Sequence, residues 1–214
     1  MKTFSLLALF FCTCCLSFGS VWTETGDAGH LPATAQFTSG VGALTEIDGK
    51  LSDGTGGADM YAIMITDPSL FSVFTVDVNS NYISDPSLFL FDSNGNALFG
   101  DDTSSSAQAN IPAGTLSALT AGLYYVLITP QGNEPENKNS KLLFNDSPTS
   151  GVVGANSLAD MVVKDYTKTG DGNSGKYQID FTGAGFATTP EPASVMLIGA
   201  GFLAMGLLKR KSWR

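Results

Sequence analysis

Arginine is missing from the whole stretch between Val21 and Thr189, histidine occurs once, at His30, and the three cysteines, Cys12, Cys14 and Cys15, all fall near the start of the 214-residue chain. Each shortage excludes something. Without arginine, residues 21–189 carry six lysines against nineteen acids, a net charge of −13. Such a body is repelled by nucleic acid and by anionic lipid, and attracts cations. One histidine cannot supply a zinc site, which wants several His or Cys ligands. An acyl-transfer triad needs a base beside its nucleophile. His30 lies in a glycine-rich stretch near the start, and no serine occupies a Gly-x-Ser-x-Gly elbow. His30 therefore reads as a solvated loop residue. A cysteine nucleophile and disulfides both disappear if the first segment is removed, so the body must hold itself together by its core.

That first segment has the layout of an export leader. Lys2 supplies a positive charge, Phe4 to Leu16 is almost wholly apolar, and Ser17-Phe18-Gly19-Ser20 provides small residues. The order predicts a signal peptide over residues 1–20, cut after Gly19 or Ser20. Neither Cys12, preceded by Phe10-Phe11, nor the crowded Cys15 makes a clean lipid-attachment site.

The other end also reads as an address. Residues 193–208 are uncharged and mostly apolar, and Lys209-Arg210-Lys211 follows. A helix over that run would span about 24 Å, a little short of a bilayer core of about 30 Å. Pro192 sets where it can start, and Trp213 suits the headgroups. The basic cluster would stay cytoplasmic, leaving everything before Pro190 outside, in agreement with the leader. Gly199, Gly201 and Gly206 leave room for a packed neighbour. The two prolines hold Pro190-Glu191-Pro192 extended, the conformation a protease threads.

Thr189-Pro190-Glu191-Pro192, a short apolar run and a basic end, in that order, resemble the PEP-CTERM sorting signal of Gram-negative bacteria. The resemblance implies that a membrane-embedded exosortase cuts near Pro-Glu-Pro and releases or transfers the protein to the cell surface. It points to Pro190, Glu191, Pro192, Lys209, Arg210 and Lys211 as the sorting residues.

Between the two addresses, residues 21–187 read as one all-β domain. Tyr177-Gln178-Ile179-Asp180-Phe181 alternates apolar and polar without a miss. Ser72, Phe74, Val76 and Val78 share one face of another strand, and Tyr61, Ile63 and Ile65 share one side of a third. Leu88 to Phe91 and Leu123 to Ile128 are continuous apolar runs, short enough for buried strands. Turn signals at Asp67-Pro68, Asp85-Pro86, Asn94-Gly95, Ala113-Gly114 and Ala121-Gly122 separate them. Short strands without a long helical pattern predict an antiparallel, jelly-roll-like β-sandwich. Asp-Pro-Ser-Leu-Phe occurs at both 67–71 and 85–89, but two copies make a repeated turn, not a solenoid. Residues 131–175 read as a long loop or insertion. Within them Gln131 to Lys141 is polar and flexible in character, and Ser157 to Val163 is either a helical turn or a strand.

The body also resembles the bacterial pre-peptidase C-terminal-like domain. The matching stretches are Glu24-Thr25 with Ala33 to Gln36, Gly57-Ala58-Asp59-Met60-Tyr61, Pro86 to Gly95, Asp101-Asp102, and Ala121 to Tyr125. That resemblance implies a jelly-roll-like sandwich that accompanies secreted hydrolases or stands alone at the surface, with calcium bound in some members. The 131–175 segment departs from the compact pattern.

Paired carboxylates are the remaining catalytic resource. A glycosidase needs two of them about 5–9 Å apart, and no motif selects a pair. Calcium, which takes carboxylate and amide oxygens, is better supported. Asp92 and Asn94 lie in one turn and Asp101-Asp102 follows, though Gly95 is misplaced for an EF-hand. Two readings stay open there: Asn94-Gly95 as a hairpin alone, or a hairpin with calcium. The resemblance brings Asp59 beside the Asp101-Asp102 loop. Asp171-Gly172-Asn173 is a weaker acidic turn. The expectation is an exported, non-catalytic surface or matrix protein, sorted by an exosortase and associated with exopolysaccharide or biofilm. Alternatives are a calcium- or glycan-binding surface module and, behind it, a hydrolase using paired carboxylates.

Overall fold

The computed structural model describes residues 19–52, 57–77, 82–83, 85–102, 108–115, 119–145, 151–167 and 174–188. The leader at 1–18, Asp171-Gly172-Asn173 and the tail at 189–214 lie outside the described residues. In chain order the strands are β1 Ser20–Thr23, β2 Gln36–Phe37, β3 Leu44–Leu51, β4 Asp59–Ile65, β5 Ser72–Val76, β6 Pro86–Asp92 and β7 Ala97–Asp101. They continue with β8 Asn110–Ile111, β9 Gly122–Pro130, β10 Pro135–Glu136, β11 Val153–Gly154, β12 Asp165–Tyr166, β13 Gly175–Thr182 and β14 Ala184–Phe186. Among the described residues there is no α-helix, and so none long and apolar enough to cross a membrane.

Two sheets face each other. One has the order β1-β3-β13-β5-β8; the other runs β11-β7-β6-β9-β4-β14, with β2 also on β4. The all-β expectation holds, but the sheets are mixed. β1 runs parallel to β3 and β2 parallel to β4, while the remaining ladders are antiparallel.

The hydrophobic pattern explains which sheet goes where. β13 buries Tyr177, Ile179 and Phe181 and turns Lys176, Gln178 and Asp180 outward, as a sheet with one wet face requires. The second sheet is dry on both faces. From β4, β6 and β9, the side chains Tyr61, Ile63, Leu88, Leu90, Val126 and Ile128 enter the core between the sheets. Their neighbours Met60, Ala62, Phe89, Phe91, Tyr125 and Leu127 enter a second core on the opposite face. Burial on both faces is why β6 and β9 read as unbroken apolar runs.

The cover over that second core comes from the segment expected to be a loop. Leu143, Phe144, Val163 and Tyr166 close it, and Phe144 lies 5.0 Å from Phe89, ring to ring. β10 pairs with β12 and β11 with β7, so residues 131–145 and 151–167 form a fastened lid of short strands. Residues 131–141, polar in sequence, bury Asn133, Glu134 and Asn137. Ser157 to Val163 is neither helix nor strand, although Val162 forms a bridge with Asn96.

On β5 the face that carries Phe74 and Val76 is the less buried of the two. Val73 and Thr75 are buried, while Phe74 and Val76 are only half-buried. Pairing with β13 decides it: Thr75 stands opposite Ile179 and Val73 opposite Phe181, and cross-strand partners share a face.

Candidate functional site

The carboxylates group differently from the sequence-derived set. One oxygen each of Glu24, Asp27 and Asp59 lies within 4.8 Å of the others. Asp59 opens β4, and Glu24 directly follows β1. Glu24 fixes the crossing segment, since Oε1 accepts from the Ala28 amide at 2.9 Å and Oε2 from the Lys50 amide at 2.8 Å. Asp27 Oδ1 accepts from the Ser52 hydroxyl at 3.1 Å. Asp59, only 1 % exposed, accepts from the Tyr177 hydroxyl at 2.7 Å, and that oxygen is 2.5 Å from the Tyr61 hydroxyl. The Tyr177 ring requires glycine at 49, because a Cβ there would lie 2.2 Å from its hydroxyl.

Burial pushes the Asp59 carboxyl up to about 8, the Tyr177 hydrogen bond opposes this, and the charges of Glu24 and Asp27 add to it. Burial likewise holds the Tyr61 and Tyr177 phenols well above their ordinary range. Beside the cluster opens a cleft of about 410 Å³ lined by Glu24, Asp48, Lys50, Tyr82, Lys176 and Tyr177. The three carboxylates are hard oxygen donors of the type calcium takes. Both oxygens of Glu24 already serve backbone amides, so a cation would have to share them.

The other sequence-derived ligands lie elsewhere. Along the ladder Asp59–Ile128–Leu88–Asp101, Asp59 and Asp101 are three strands apart, about 14 Å. Asp92 is used inside the β6–β7 hairpin: Oδ1 accepts from the Asn94 and Asn96 amides, and Oδ2 from the Asn96 side chain. Gly95 takes the left-handed conformation that Asn-Gly foretold, with φ 82°. The Asn94 side chain is exposed. Asp101 Oδ2 accepts from the Asn110 amide at 2.7 Å, and burial raises its carboxyl. Asp102 accepts from Ser87 Oγ at 2.5 Å. The hairpin is built; Asp92 and Asp102 are engaged within it, and Asp101 with β8. Glu24 and Asp27 were missed as partners of Asp59 because the chain crossing that follows β1, not local spacing, brings them to the start of β4. His30 is better fastened than a solvated loop residue, with Nε2 3.9 Å from Asp165 and its ring edge-on to Tyr166 at 5.0 Å.

The second site is the stretch that leads to Pro190. Pro190, Glu191, Pro192, Lys209, Arg210 and Lys211 lie outside the described residues, but the approach to them is defined. Fully buried Thr38 grips it. Thr38 Oγ1 donates to the Ala62 carbonyl at 2.9 Å and accepts from the Ala187 amide at 3.0 Å. The Thr38 carbonyl accepts from the Thr188 amide at 2.9 Å and the Thr188 hydroxyl at 3.2 Å, and the Gly40 amide donates to the Thr188 carbonyl at 3.1 Å. Phe186, one step earlier, is buried. The body is therefore fastened up to the second residue before Pro190.

At that point a family model takes over: the PEP-CTERM protein-sorting motif matches residues 188–211. No curated protein matches the chain. The motif begins at the last described residue, and implies export, association with the cell envelope and handling by an exosortase. That tail carries the PEP-CTERM protein-sorting motif, and in it the chain is similar to PEP-CTERM proteins.

Proposed function

We propose that this is a non-catalytic protein of the cell surface or extracellular matrix, held briefly in the inner membrane by residues 193–208 and then cut free by an exosortase. Its place is among exopolysaccharide or biofilm material. The carrying observation is the sorting motif at 188–211, joined directly to an all-β body whose strands reach Phe186. The acidic balance and the lack of cysteine in residues 21–189 suit a body that folds outside the cytoplasm on its core alone. Intact-mass measurement of protein from culture fluid and from membranes tests this. A secreted form lacking both ends is expected; a membrane form that always keeps residues 193–214 would leave a plain anchor instead.

One observation favours a second reading, a cation-dependent surface module: the convergence of Glu24, Asp27 and Asp59. A melting curve with millimolar calcium and with chelator decides it, because a ligand bound only by the folded state raises the midpoint. No shift removes that reading. A sugar-stacking platform is not favoured, since Phe37 is the sole aromatic among the exposed large apolar side chains of the described residues.

A further inference from the structure

Thr188, the last described residue before the tail, sits in a part of the acidic body that carries no charge. Residues 31–45 and 181–190 contain no Asp, Glu, Lys or Arg, and they are the segments that meet around Thr188. Thr38 and Gly40 hold Thr188, and Ala43 bridges Gly185. Two large apolar side chains stand exposed beside that grip: Phe37, next to Thr38, at 45 %, and Val41, next to Gly40, at 73 %.

The tether is short. Five residue steps separate Thr188 from Ala193, where the apolar run begins, and fully extended they reach at most about 18 Å. The headgroup layer takes about 5–7 Å of that distance on each side of the hydrocarbon. With Thr188 fastened to residues 38–40, the body cannot turn this edge away from the membrane without unzipping Ala187 and Thr188.

We infer that the uncharged edge bearing Phe37 and Val41 rests on the lipid surface while the sorting tail is uncut. The inference depends on the proposed anchoring of residues 193–208. Chemistry supports the same edge from the other direction. A body of net charge −13 is repelled by anionic headgroups, and the edge nearest the tether adds no charge to that repulsion. Exposed apolar side chains at that patch favour the interface. Cutting the tail removes the tether, and a few apolar side chains alone do not hold the body there, so release follows processing.

The test uses the full chain, with Cys12→Ser, Cys14→Ser and Cys15→Ser, and a single labelling position. Val41→Cys carries an environment-sensitive dye, and Ala113→Cys, exposed in the turn after β8 at the far edge, is the control. Each chain is reconstituted into phosphatidylcholine vesicles containing a spin-labelled lipid as quencher. In a Trp22→Phe background, quenching of Trp213 reports insertion of the tail independently. The expected result is that the dye at 41 loses more than half its emission, the dye at 113 is unaffected, and the loss at 41 disappears when the tail is cut. Equal quenching at both positions, or none at 41 with Trp213 quenched, overturns the docking edge and leaves the anchor standing. An unquenched Trp213 overturns the anchor, and the edge with it. Quenching or dye shift at 41 only when the sorting peptidase is added assigns the edge to that protein and overturns the lipid contact.

Discussion

At Asp59 a single carboxyl sets a pH dependence for the whole fold. Its proton is held more tightly folded than unfolded, because burial and the neighbouring Glu24 and Asp27 charges disfavour the anion. The folded state thus binds the extra proton between its ordinary value of 3.8 and about 8. Stability from this group is fully present below the lower limit and is lost as pH rises through the upper one. Asp59→Asn keeps an acceptor for the Tyr177 hydroxyl and removes the titration. The variant is expected to melt close to the wild type at pH 5 and above it at pH 8, read by circular dichroism without divalent cations; parallel curves at the two pH values would refute the assignment. Tyr177→Phe acts oppositely, since it strips the hydroxyl that links Asp59 and Tyr61. Leaving those buried groups short of a partner should cost about 1–3 kcal/mol in denaturant unfolding. Asp59 was legible as a ligand-type residue, whereas its partners were not. Glu24 and Asp27 reach it through a chain crossing that no local spacing encodes.

Among the elements, the strands easiest to read were those whose pattern is dictated by their own surroundings. β13 has one wet face and alternates; β6 and β9 have two dry faces and run unbroken. On β5 Phe74 and Val76 are more apolar than the buried Thr75, and the register with β13 sets which face is buried. Thr75 offsets its burial with a bond from its hydroxyl to the Ala109 carbonyl at 3.4 Å. The last strand, β14, is too short to recognise by pattern, and it is secured as much by Thr38 as by its three pairs with β4. Thr38→Val retains the shape and deletes the two hydroxyl bonds, leaving the Ala187 amide without an acceptor. The expected loss is about 1–3 kcal/mol. Hydrogen exchange at Ala187 and Thr188 should accelerate well before that of β9, because a short segment at a sheet edge opens below the global free energy. Exchange at 187–188 that merely follows global unfolding would show that the grip is not local.

For the molecule as a whole, the open question at the sequence level was residues 131–175, whose polar composition and absence of periodicity suggested a loop. The folded segment contributes strands of only two residues each, too short for periodicity to register, and its contacts are far away in sequence. Leaving Met60, Phe89, Phe91 and Leu127 bare would expose several large apolar side chains, each worth about 1.5–3 kcal/mol when fully buried. The lid is therefore part of the core. Phe144 is the sharpest probe of this, being 1 % exposed and packed against Phe89 and Phe91. Phe144→Ala should destabilise by about 3–5 kcal/mol, the cost of a large aromatic removed from a packed interior. A loop residue would change stability by less than about 0.5 kcal/mol. Because the seven-stranded sheet separates the two cores and belongs to both, the variant should still unfold in one transition, at a lower denaturant midpoint. Two separate transitions, with the lid melting first, would mean that residues 131–167 are an appendage resting on a sandwich that is stable without them.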